Sequence, residues 1–315
     1  MKHKFKNALL LTAATAACLH VINRGIITAS TIKNLLSSSN GTFFDWRFGE
    51  IYYRKLGHGK PLVLVHDLAP GSSSYEWNLL EEQLGEHFTV YSLDLLGCGR
   101  SDKPNMTYTN YLYVQLISDF IEKVVKEKAN VAATGLSASF VIMACNNNPE
   151  LFQNLLLINP ESLNKLSLIP GKRSKMMKFF LDLPIIGTSV YHVLTSRENI
   201  EYLFTEKYFF NPFSVSKKMV DTYHESAHRN DSTGKYLISS INGKYVNINI
   251  RKALSKINHS IFVIGGEQEE NISSILHQYT EINPSIETAT ISKTKHLPQM
   301  EAPDKVYNLM RIFLS

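Results

Sequence analysis

Short aliphatic runs recur along most of the chain and alternate with polar turns and with stretches of helical period. Uninterrupted aliphatic runs are typical of strands that are covered on both faces of a sheet. Residues 111–126 instead carry apolar side chains at a helical spacing. Strands that alternate with helices in this way predict a mainly parallel α/β sheet flanked by helices. The predicted strands are residues 51–54, 62–65, 90–93, 131–134, 155–158, 261–264 and 288–291.

The alternation stops between residues 158 and 261, where about a hundred residues show no clear strand pattern. This stretch contains helical runs, several prolines and many aromatic residues. It predicts a helical lid inserted into the sheet domain. The expected organisation is an α/β core of residues 43–160 and 258–315 with a lid of residues 161–257.

The N-terminus has the pattern of a targeting or anchoring segment. Three lysines among the first six residues precede a nearly uncharged apolar stretch over residues 8–22. Export signals and signal anchors share this arrangement, in which the positive residues stay inside. We favour an uncleaved anchor over residues 1–29 followed by a polar tether over residues 30–42. The alternatives are cleavage after residues 14–16, which have a small-x-small pattern, and a merely buried helix.

These alternatives make different predictions for location. A retained anchor predicts a membrane-bound protein whose folded domain lies outside the cytoplasm. A cleaved signal predicts a secreted protein.

Composition and charge narrow the class of protein further. The 315 residues are 44% hydrophobic and carry a net charge of +5, which is a globular composition. No basic stripe is interleaved with aromatic residues, so nucleic-acid binding is not expected. The basic cluster over residues 165–178 is interpreted as a solvated lid face. The three cysteines form no metal or redox motif, and the histidines have no ligand spacing, so we expect no metal and no cofactor.

The sequence around Ser137 has the pattern of a strand-to-helix turn that exposes a nucleophile. A serine hydroxyl needs a base to take its proton and donors to hold the developing oxyanion. Residues 131–134 form a buried strand, residues 135–139 read Gly-Leu-Ser-Ala-Ser, and a helical run follows. Such a turn places the serine Oγ at a helix N-terminus, where backbone N–H groups favour negative charge. Ser137 is therefore the candidate nucleophile.

Four further motifs occur in a fixed order along the chain. Residues 66–68 read His-Asp-Leu, residues 94–104 read Asp-Leu-Leu-Gly-Cys-Gly-Arg-Ser-Asp-Lys-Pro, residues 266–269 read Gly-Glu-Gln-Glu, and residues 296–303 read His-Leu-Pro-Gln-Met-Glu-Ala-Pro. With them, the chain from about residue 43 to its C-terminus resembles the α/β-hydrolase family. The four motifs are similar to the family's oxyanion loop, its D-x-x-G-x-G-x-S-x-x-P signature, the loop of its catalytic acid and the loop of its catalytic histidine.

The resemblance implies roles for individual residues. Ser137 would be the nucleophile, His296 the general base and then the general acid, and Glu269 the carboxylate that orients the imidazole. The backbone N–H groups of Leu68 and Ala138 would form the oxyanion hole. The chain order Ser…Glu…His is that of this fold.

Other carboxylates and two departures from the family pattern leave alternatives open. Glu267, Glu270 and Glu161 are rivals to Glu269 as the acid, whereas the charged residues of the 94–102 loop are expected to hold loop geometry. Asp67 replaces the glycine that usually follows the loop histidine and would place a negative charge near the developing oxyanion. Ser139 replaces the second glycine of the elbow.

Together these features predict a serine hydrolase that cleaves an ester or related acyl bond of a small or medium apolar substrate through an acyl-enzyme. The aromatic lid favours apolar substrates. Dehalogenase and epoxide-hydrolase chemistry is disfavoured, because those relatives use an aspartate where Ser137 stands. The main alternative is a catalytically silent homologue that binds a ligand or partner, and a structural membrane-surface protein is a third. An Asp67 carboxylate in the oxyanion hole would favour the binding protein.

Overall fold

A computed structural model of the chain describes residues 2–38 and 41–314. Its centre is an eight-stranded sheet. The strands are β1 (Thr42–Trp46), β2 (Gly49–Gly57), β3 (Lys60–Val65), β4 (Phe88–Leu93), β5 (Ala129–Thr134), β6 (Phe152–Ile158), β7 (Ile261–Gly266) and β8 (Glu287–Ile291).

The strand order is β1-β2-β4-β3-β5-β6-β7-β8. The pairs β1/β2 and β2/β4 are antiparallel, and all the other pairs are parallel. The predicted mainly parallel α/β-hydrolase sheet is therefore confirmed, and each of the seven predicted strands is present. The sequence pattern missed β1, because its first four residues are not buried at the sheet edge and show no continuous aliphatic run.

The helices of the described residues cover both faces of the sheet, form the insertion between β6 and β7, and include one long N-terminal helix. They are α1 (Lys2–Thr31), α2 (Glu81–Gly85), α3 (Asn110–Phe120), α4 (Ser137–Asn147), α5 (Leu163–Leu166), α6 (Lys172–Asp182), α7 (Ile186–Leu194), α8 (Arg197–Tyr202), α9 (Lys217–His228), α10 (Lys235–Asn242), α11 (Arg251–Leu254), α12 (Ile272–Ile282), α13 (Pro298–Glu301) and α14 (Pro303–Leu314). Helices α3 and α8 continue as π-helical turns over Ile121–Val125 and Leu203–Tyr208.

The central strands are hydrophobic because both of their faces are covered. All six residues of β5 are buried. One face packs against α3, α4 and α12 in a cluster that includes Phe120, Phe140 and Tyr279. The other face packs against α2 and α14 in a cluster that includes Leu84 and Met310. The sheet is thus a rigid support for the loops at its edge.

Seven helices, α5 to α11, lie between β6 and β7. The structure describes residues 159–260 in full, and no strand occurs among them. The insertion is therefore helical, and it leaves the sheet at the carboxyl end of β6.

Helix α1 is long and apolar enough over Lys4–Thr31 to cross a membrane. The segment predicted as a tether, residues 30–42, is held against the lid over part of its length. Ser30 is the penultimate residue of α1, and the N–H groups of Leu35 and Leu36 donate to Glu225 of α9 at 2.6 and 3.2 Å. Residues 39 and 40 of this segment lie outside the described residues, as do residue 1 of the predicted anchor and residue 315 of the predicted core.

Candidate active site

The loops that carry the candidate residues meet at one edge of the sheet. Residues 66–68 follow β3, residues 135–137 follow β5, Glu269 follows β7 and His296 follows β8. These strands run parallel, so their carboxyl ends lie side by side. Ligands of open α/β sheets bind at this edge.

His296 lies between two carboxylates. Its Nδ1 is 3.2 Å from Oε1 of Glu269, and its Nε2 is 3.1 Å from Oδ2 of Asp67. Each ring nitrogen therefore lies within hydrogen-bonding distance of a carboxylate oxygen. The ring of Tyr208 stacks on the imidazole with the ring centroids 5.4 Å apart.

This arrangement shifts the pKa values of both partners. Burial disfavours the charged imidazole, but the hydrogen bonds to Asp67 and Glu269 outweigh burial and raise the pKa of His296 well above its usual 6.5. Burial also disfavours an ionised Asp67, but the hydrogen bond from His296 and those from two backbone N–H groups keep the pKa of Asp67 below its usual 3.8. The pair is therefore ionised at neutral pH.

The second oxygen of Asp67 is held by two backbone N–H groups. Leu68 donates to Oδ1 at 2.8 Å, and Leu136 donates to the same oxygen at 2.9 Å. Two convergent N–H groups at this distance are the geometry that stabilises an oxyanion. The Asp67 carboxylate therefore fills an oxyanion hole with one oxygen and meets the histidine with the other.

The sharp turn after β5 is centred on Gly135. Gly135 has φ of +56°, a left-handed conformation that glycine adopts without a steric penalty, whereas Leu136 is already helical. A Cβ at position 135 would lie 2.3 Å from Oδ1 of Asp67. The carboxylate thus takes the space of a side chain at the turn. Ser139, two residues into α4, fits there by donating its Oγ to the carbonyl of Leu136 at 2.7 Å.

The predicted nucleophile and one predicted oxyanion donor lie elsewhere. Ser137 is the first residue of α4, and its buried Oγ has no hydrogen-bond partner in the part of the chain that the structure describes. The N–H of Ala138 donates to the carbonyl of Gly135 at 3.3 Å within the turn. Leu136 supplies the second N–H of the hole instead. Both differences have one cause: the turn lies two residues earlier than the sequence pattern predicts, so Ser137 makes no hydrogen bond to His296.

Of the four candidate acids, the structure brings Glu269 to the histidine. Glu267 accepts a backbone N–H from the loop after β8, and Glu161 pairs with a lysine of α5. Glu270 lines the cavity beside His296.

A further carboxyl group lies behind Asp67 and was not among the predicted site residues. Oε2 of Glu76 accepts the N–H of Asp67 at 3.1 Å, and Oε1 accepts the hydroxyl of Tyr223 at 3.2 Å. Burial, with the charge of Asp67 adding to it, raises the pKa of Glu76 to about 8. Glu76 is therefore mainly protonated at neutral pH and adds little negative charge beside Asp67.

Two cavities open onto these residues. One has a volume of about 380 Å³ and includes His296 and Glu269 among its mostly polar lining. The other has a volume of about 420 Å³ and is lined by Asp67, by the apolar residues Leu68, Leu136, Leu166, Leu168 and Ile241, and by the polar residues Glu161, Lys165, Asn242, Lys244 and Asn247. Both cavities have Glu161 and Lys165 in their walls, so they adjoin. Within the described residues, no group of three His, Cys, Asp or Glu side chains is placed to hold a metal ion.

The sequence contained a signal for the observed turn. Within residues 135–139 only position 135 is a glycine, and a turn that needs positive φ is best placed there. Asp67 departs from the family pattern, but its contacts with His296 and with the N–H of Leu136 depend on loops that are distant in sequence. No local pattern indicates them.

Comparisons with known proteins match this architecture. The model of the alpha/beta hydrolase family matches residues 62–309. An uncharacterized protein of Mycobacterium tuberculosis is 28% identical over 113 residues, which are 36% of this chain and 33% of that protein. Proline iminopeptidase of Lactobacillus helveticus is 29% identical over 198 residues, which are 59% of this chain and 64% of that enzyme. The chain thus spans about a third of the length of the first relative and less than two thirds of the second.

A solved structure of an epoxide hydrolase, CorEH without ligand, is similar with a TM-score of 0.72 at 20% sequence identity. The likeness covers 87% of this chain and 98% of that one. At this identity the similarity shows the fold.

Proposed function

Because the chain belongs to the alpha/beta hydrolase family, which includes hydrolase relatives of this chain, we propose that it is a hydrolase whose nucleophile is Asp67. The sequence argument against epoxide-hydrolase chemistry assumes a nucleophile at position 137, and it does not apply to a carboxylate on the loop after β3. The substrate would then be a small or medium apolar molecule with an electrophilic saturated carbon, such as an epoxide. One observation carries the proposal: Oδ1 of Asp67 lies between two N–H donors while Oδ2 lies 3.1 Å from Nε2 of His296. This is the arrangement that a carboxylate nucleophile needs.

In the first step, Oδ2 of Asp67 attacks a ring carbon of the epoxide. A bond forms between Oδ2 and this carbon, and the ring C–O bond breaks. The released alkoxide takes the proton from Nε2 of His296, which leaves a neutral imidazole and a hydroxyalkyl ester on Asp67. The ionised pair at neutral pH supplies both the nucleophile and the proton that this step requires.

In the second step, water gives a proton to Nε2 of His296 and attacks Cγ of Asp67. Esterification has removed the charge of Asp67, so the imidazole is a better base for this water than it would be beside a carboxylate. Oδ1 takes up the negative charge between the N–H groups of Leu68 and Leu136. The Cγ–Oδ2 bond then breaks, the diol leaves with Oδ2 and a proton from His296, and the new carboxylic acid returns its proton to Nε2. Glu269 orients the imidazole throughout.

The cavity beside Asp67 supports an apolar substrate. Four leucines and one isoleucine lie in its wall beside polar and charged residues, and its volume of about 420 Å³ suits a small molecule. The adjoining polar cavity, which His296 lines, offers space for the attacking water.

Ester cleavage through Ser137 has less support from this geometry. Such a mechanism needs Oγ of Ser137 at Nε2 of His296 and an empty oxyanion hole. Oδ2 of Asp67 holds Nε2, and Oδ1 holds both N–H donors. A mechanism through Ser137 would require Asp67 to leave both positions and the turn at Gly135 to rebuild.

The proposal is tested by letting the protein turn over styrene oxide in water labelled with heavy oxygen. The measurement is whether the label enters the protein or the diol product. In a single turnover by the full chain, the peptide that contains Asp67 should gain one heavy oxygen by mass spectrometry, and the diol should gain none. Asp67→Asn, which keeps an acceptor for both N–H groups, should lower turnover by roughly four orders of magnitude. Ser137→Ala is the control and should leave turnover and labelling unchanged. Heavy oxygen in the diol alone, or turnover that survives Asp67→Asn, would exclude the mechanism.

A second candidate function is that of a catalytically silent homologue that binds an apolar ligand. The observation in its favour is that the chain's own carboxylate already satisfies both N–H groups of the oxyanion hole. The experiment separates the two, because a silent homologue gives no turnover of epoxide, haloalkane or ester probes and no labelled Asp67.

Helix α1 is proposed to be a retained membrane anchor. Asn23 is buried against α7, where its side chain donates to Ser189 at 3.2 Å, and Arg24 pairs with Asp231 of the lid at 2.8 Å. Packing of this kind supports a helix that stays with the mature protein. The lysines that precede the apolar stretch favour a folded domain outside the cytoplasm.

A further inference from the structure

We propose that the exposed face of α6 and α7 docks on an anionic lipid bilayer around α1. We call this surface the lid face. It consists of Lys172, Arg173, Lys175, Met176, Phe179 and Phe180 of α6 and of Ile186, Val190, Val193 and Leu194 of α7. The inference rests on the proposed anchor and goes beyond it, because an anchor alone leaves the lid in water.

The contacts of α1 determine which part of the lid is nearest to the membrane. Following α1 from its C-terminal end, Ser30 contacts His224 of α9, Arg24 pairs with Asp231, and Asn23 contacts α7. Helix α7 is therefore the last lid element along α1 before its apolar N-terminal part.

The length of the remaining helix places the bilayer surface at α7. The apolar stretch over residues 8–22 would measure about 22 Å at about 1.5 Å per residue, and the lysine side chains that precede it can extend to the opposite headgroups of a hydrocarbon layer of about 30 Å. The apolar residues in this part are largely exposed in the protein, among them Leu9, Leu10 and Leu11. If residues 8–22 lie in the hydrocarbon, Asn23 and the helix it contacts lie at the headgroups.

The lid face is apolar where this geometry puts it against lipid. Phe179 is 62% exposed and Val193 is 66% exposed, and their neighbours on the face are also exposed. Residues 186, 190, 193 and 194 share one side of α7, as residues 172, 175, 176 and 179 share one side of α6. Exposed apolar side chains grouped on two helices that pack together are typical of an interaction site.

Charge identifies the partner as an anionic membrane. Lys172, Arg173 and Lys175 are exposed beside the aromatic residues, and the only acid in α6, Asp182, pairs with Lys178. Aromatic and aliphatic residues that enter the interface, with basic residues at the headgroups, are the pattern of a helix lying on anionic lipid. The predicted solvated lid face is thus reinterpreted as a lipid contact.

Docking of the lid would also bring the apolar cavity close to lipid. Leu166 and Leu168 line that cavity and lie just before α6 in the chain. An apolar substrate dissolved in the bilayer would therefore have a short path to Asp67.

The test uses the full chain bound to lipid vesicles. It measures whether single tryptophans introduced into the chain enter the bilayer. The two native tryptophans, Trp46 and Trp77, are buried, so they contribute a constant background. Phe179→Trp reports on the lid face, and Ile312→Trp, at an exposed position of α14, is the matched control. The vesicles contain phosphatidylcholine and phosphatidylglycerol, with and without bromine on the acyl chains, and flotation confirms that the protein is bound.

Brominated lipid should reduce the added fluorescence of the Phe179→Trp variant several-fold more than that of the Ile312→Trp variant. Replacing phosphatidylglycerol by phosphatidylcholine, or introducing Lys172→Glu, Arg173→Glu and Lys175→Glu together, should reduce this difference while flotation persists. Protein that floats with both introduced tryptophans equally unquenched overturns lid docking but leaves the anchor intact. Protein that does not float overturns the anchor and with it this inference.

Discussion

Gly135 and Asp67 share one small volume at the turn after β5. A side chain at position 135 would overlap with Oδ1 of Asp67, since its Cβ would lie 2.3 Å from that oxygen. The turn therefore accommodates the carboxylate or a side chain of its own, but not both. This exclusion explains how an aspartate on the loop after β3 can stand where a residue of the elbow would otherwise act.

Because the two groups exclude each other, we predict that a serine at position 135 can take the place of the Asp67 carboxylate once that carboxylate is removed. Gly135→Ser alone should destabilise the protein by about 1–3 kcal/mol through overlap and positive φ, and should not react with a fluorophosphonate probe. Gly135→Ser combined with Asp67→Gly frees the N–H groups of Leu68 and Leu136 and brings a hydroxyl towards His296. Labelling at position 135 in the double variant, measured by mass spectrometry, is the expected result. A double variant that folds and stays unlabelled would show that the elbow and histidine are not aligned for acyl transfer.

The charge on His296 predicts how stability depends on pH. Its pKa is raised in the folded protein, so its contribution is fully present below the usual pKa of 6.5 and is lost as the pH rises through the raised value. The unfolding temperature of the unmodified protein should therefore fall as the pH rises above neutral. The unfolding temperature of the His296→Gln variant should fall less steeply over the same pH range. His277→Gln, at an exposed position on α12, is the control and should follow the unmodified protein. Parallel curves for all three proteins would contradict the ionised pair.

At the scale of elements, the turn after β4 is organised by a buried ion pair. Asp94 is fully buried and accepts three hydrogen bonds from the backbone and side chain of Arg100 at 2.7–3.0 Å, together with the N–H of Ser74. Burial opposes the charge of Asp94, but Arg100 outweighs it and lowers the pKa of Asp94 to about 2. Gly97 and Gly99 have φ of +89° and +52°, which allow the chain to fold around this pair. The loop motif thus has a structural role in the geometry observed.

We predict that Arg100→Ala destabilises the protein by about 3–5 kcal/mol, because it leaves a buried carboxylate without its partner. Arg47→Ala is the matched control. It removes a more exposed pair with Asp119, in which the arginine side chain is 46% exposed, and should cost at most about 1 kcal/mol. Denaturant titrations of the two variants measure the difference. Equal losses would mean that the buried pair does not hold the turn.

The elements also show what could be predicted from sequence. Strands β3 to β7 follow from largely apolar runs, because burial on both faces leaves a local pattern. Strands β1, β2 and β8 are only partly buried, and of these the sequence pattern predicts β2 and β8 but not β1. The placement of His296 beside Glu269 is the arrangement implied by ordered motifs. The position of the elbow was not predictable in this way, because it depends on a contact between Gly135 and Asp67, two loops that are adjacent only in the folded sheet.

At the scale of the whole molecule, α1 packs on the helical insertion, and the insertion in turn packs on the sheet. The sheet holds Asp67 and His296 at its edge, the helical insertion contacts this edge through Tyr208 and Tyr223, and α1 packs along the insertion through α9 and α7. The proposed membrane anchor is therefore joined to the sheet through the helical insertion. The proposed chemistry and the proposed lipid contact involve different elements, so each can be tested without disturbing the other.

The occupied oxyanion hole also affects whether such a protein would be detected by activity-based tagging. Surveys that assign serine hydrolases by phosphonate tagging detect only proteins with a free hydroxyl and vacant N–H donors. Here the carboxylate of Asp67 is tethered to the loop and competes with any reagent for both N–H groups, wherever the protein is present. A cell extract could contain this protein in abundance and yield no tag. A blank in such a survey would then record the choice of reagent, not the absence of a working hydrolase.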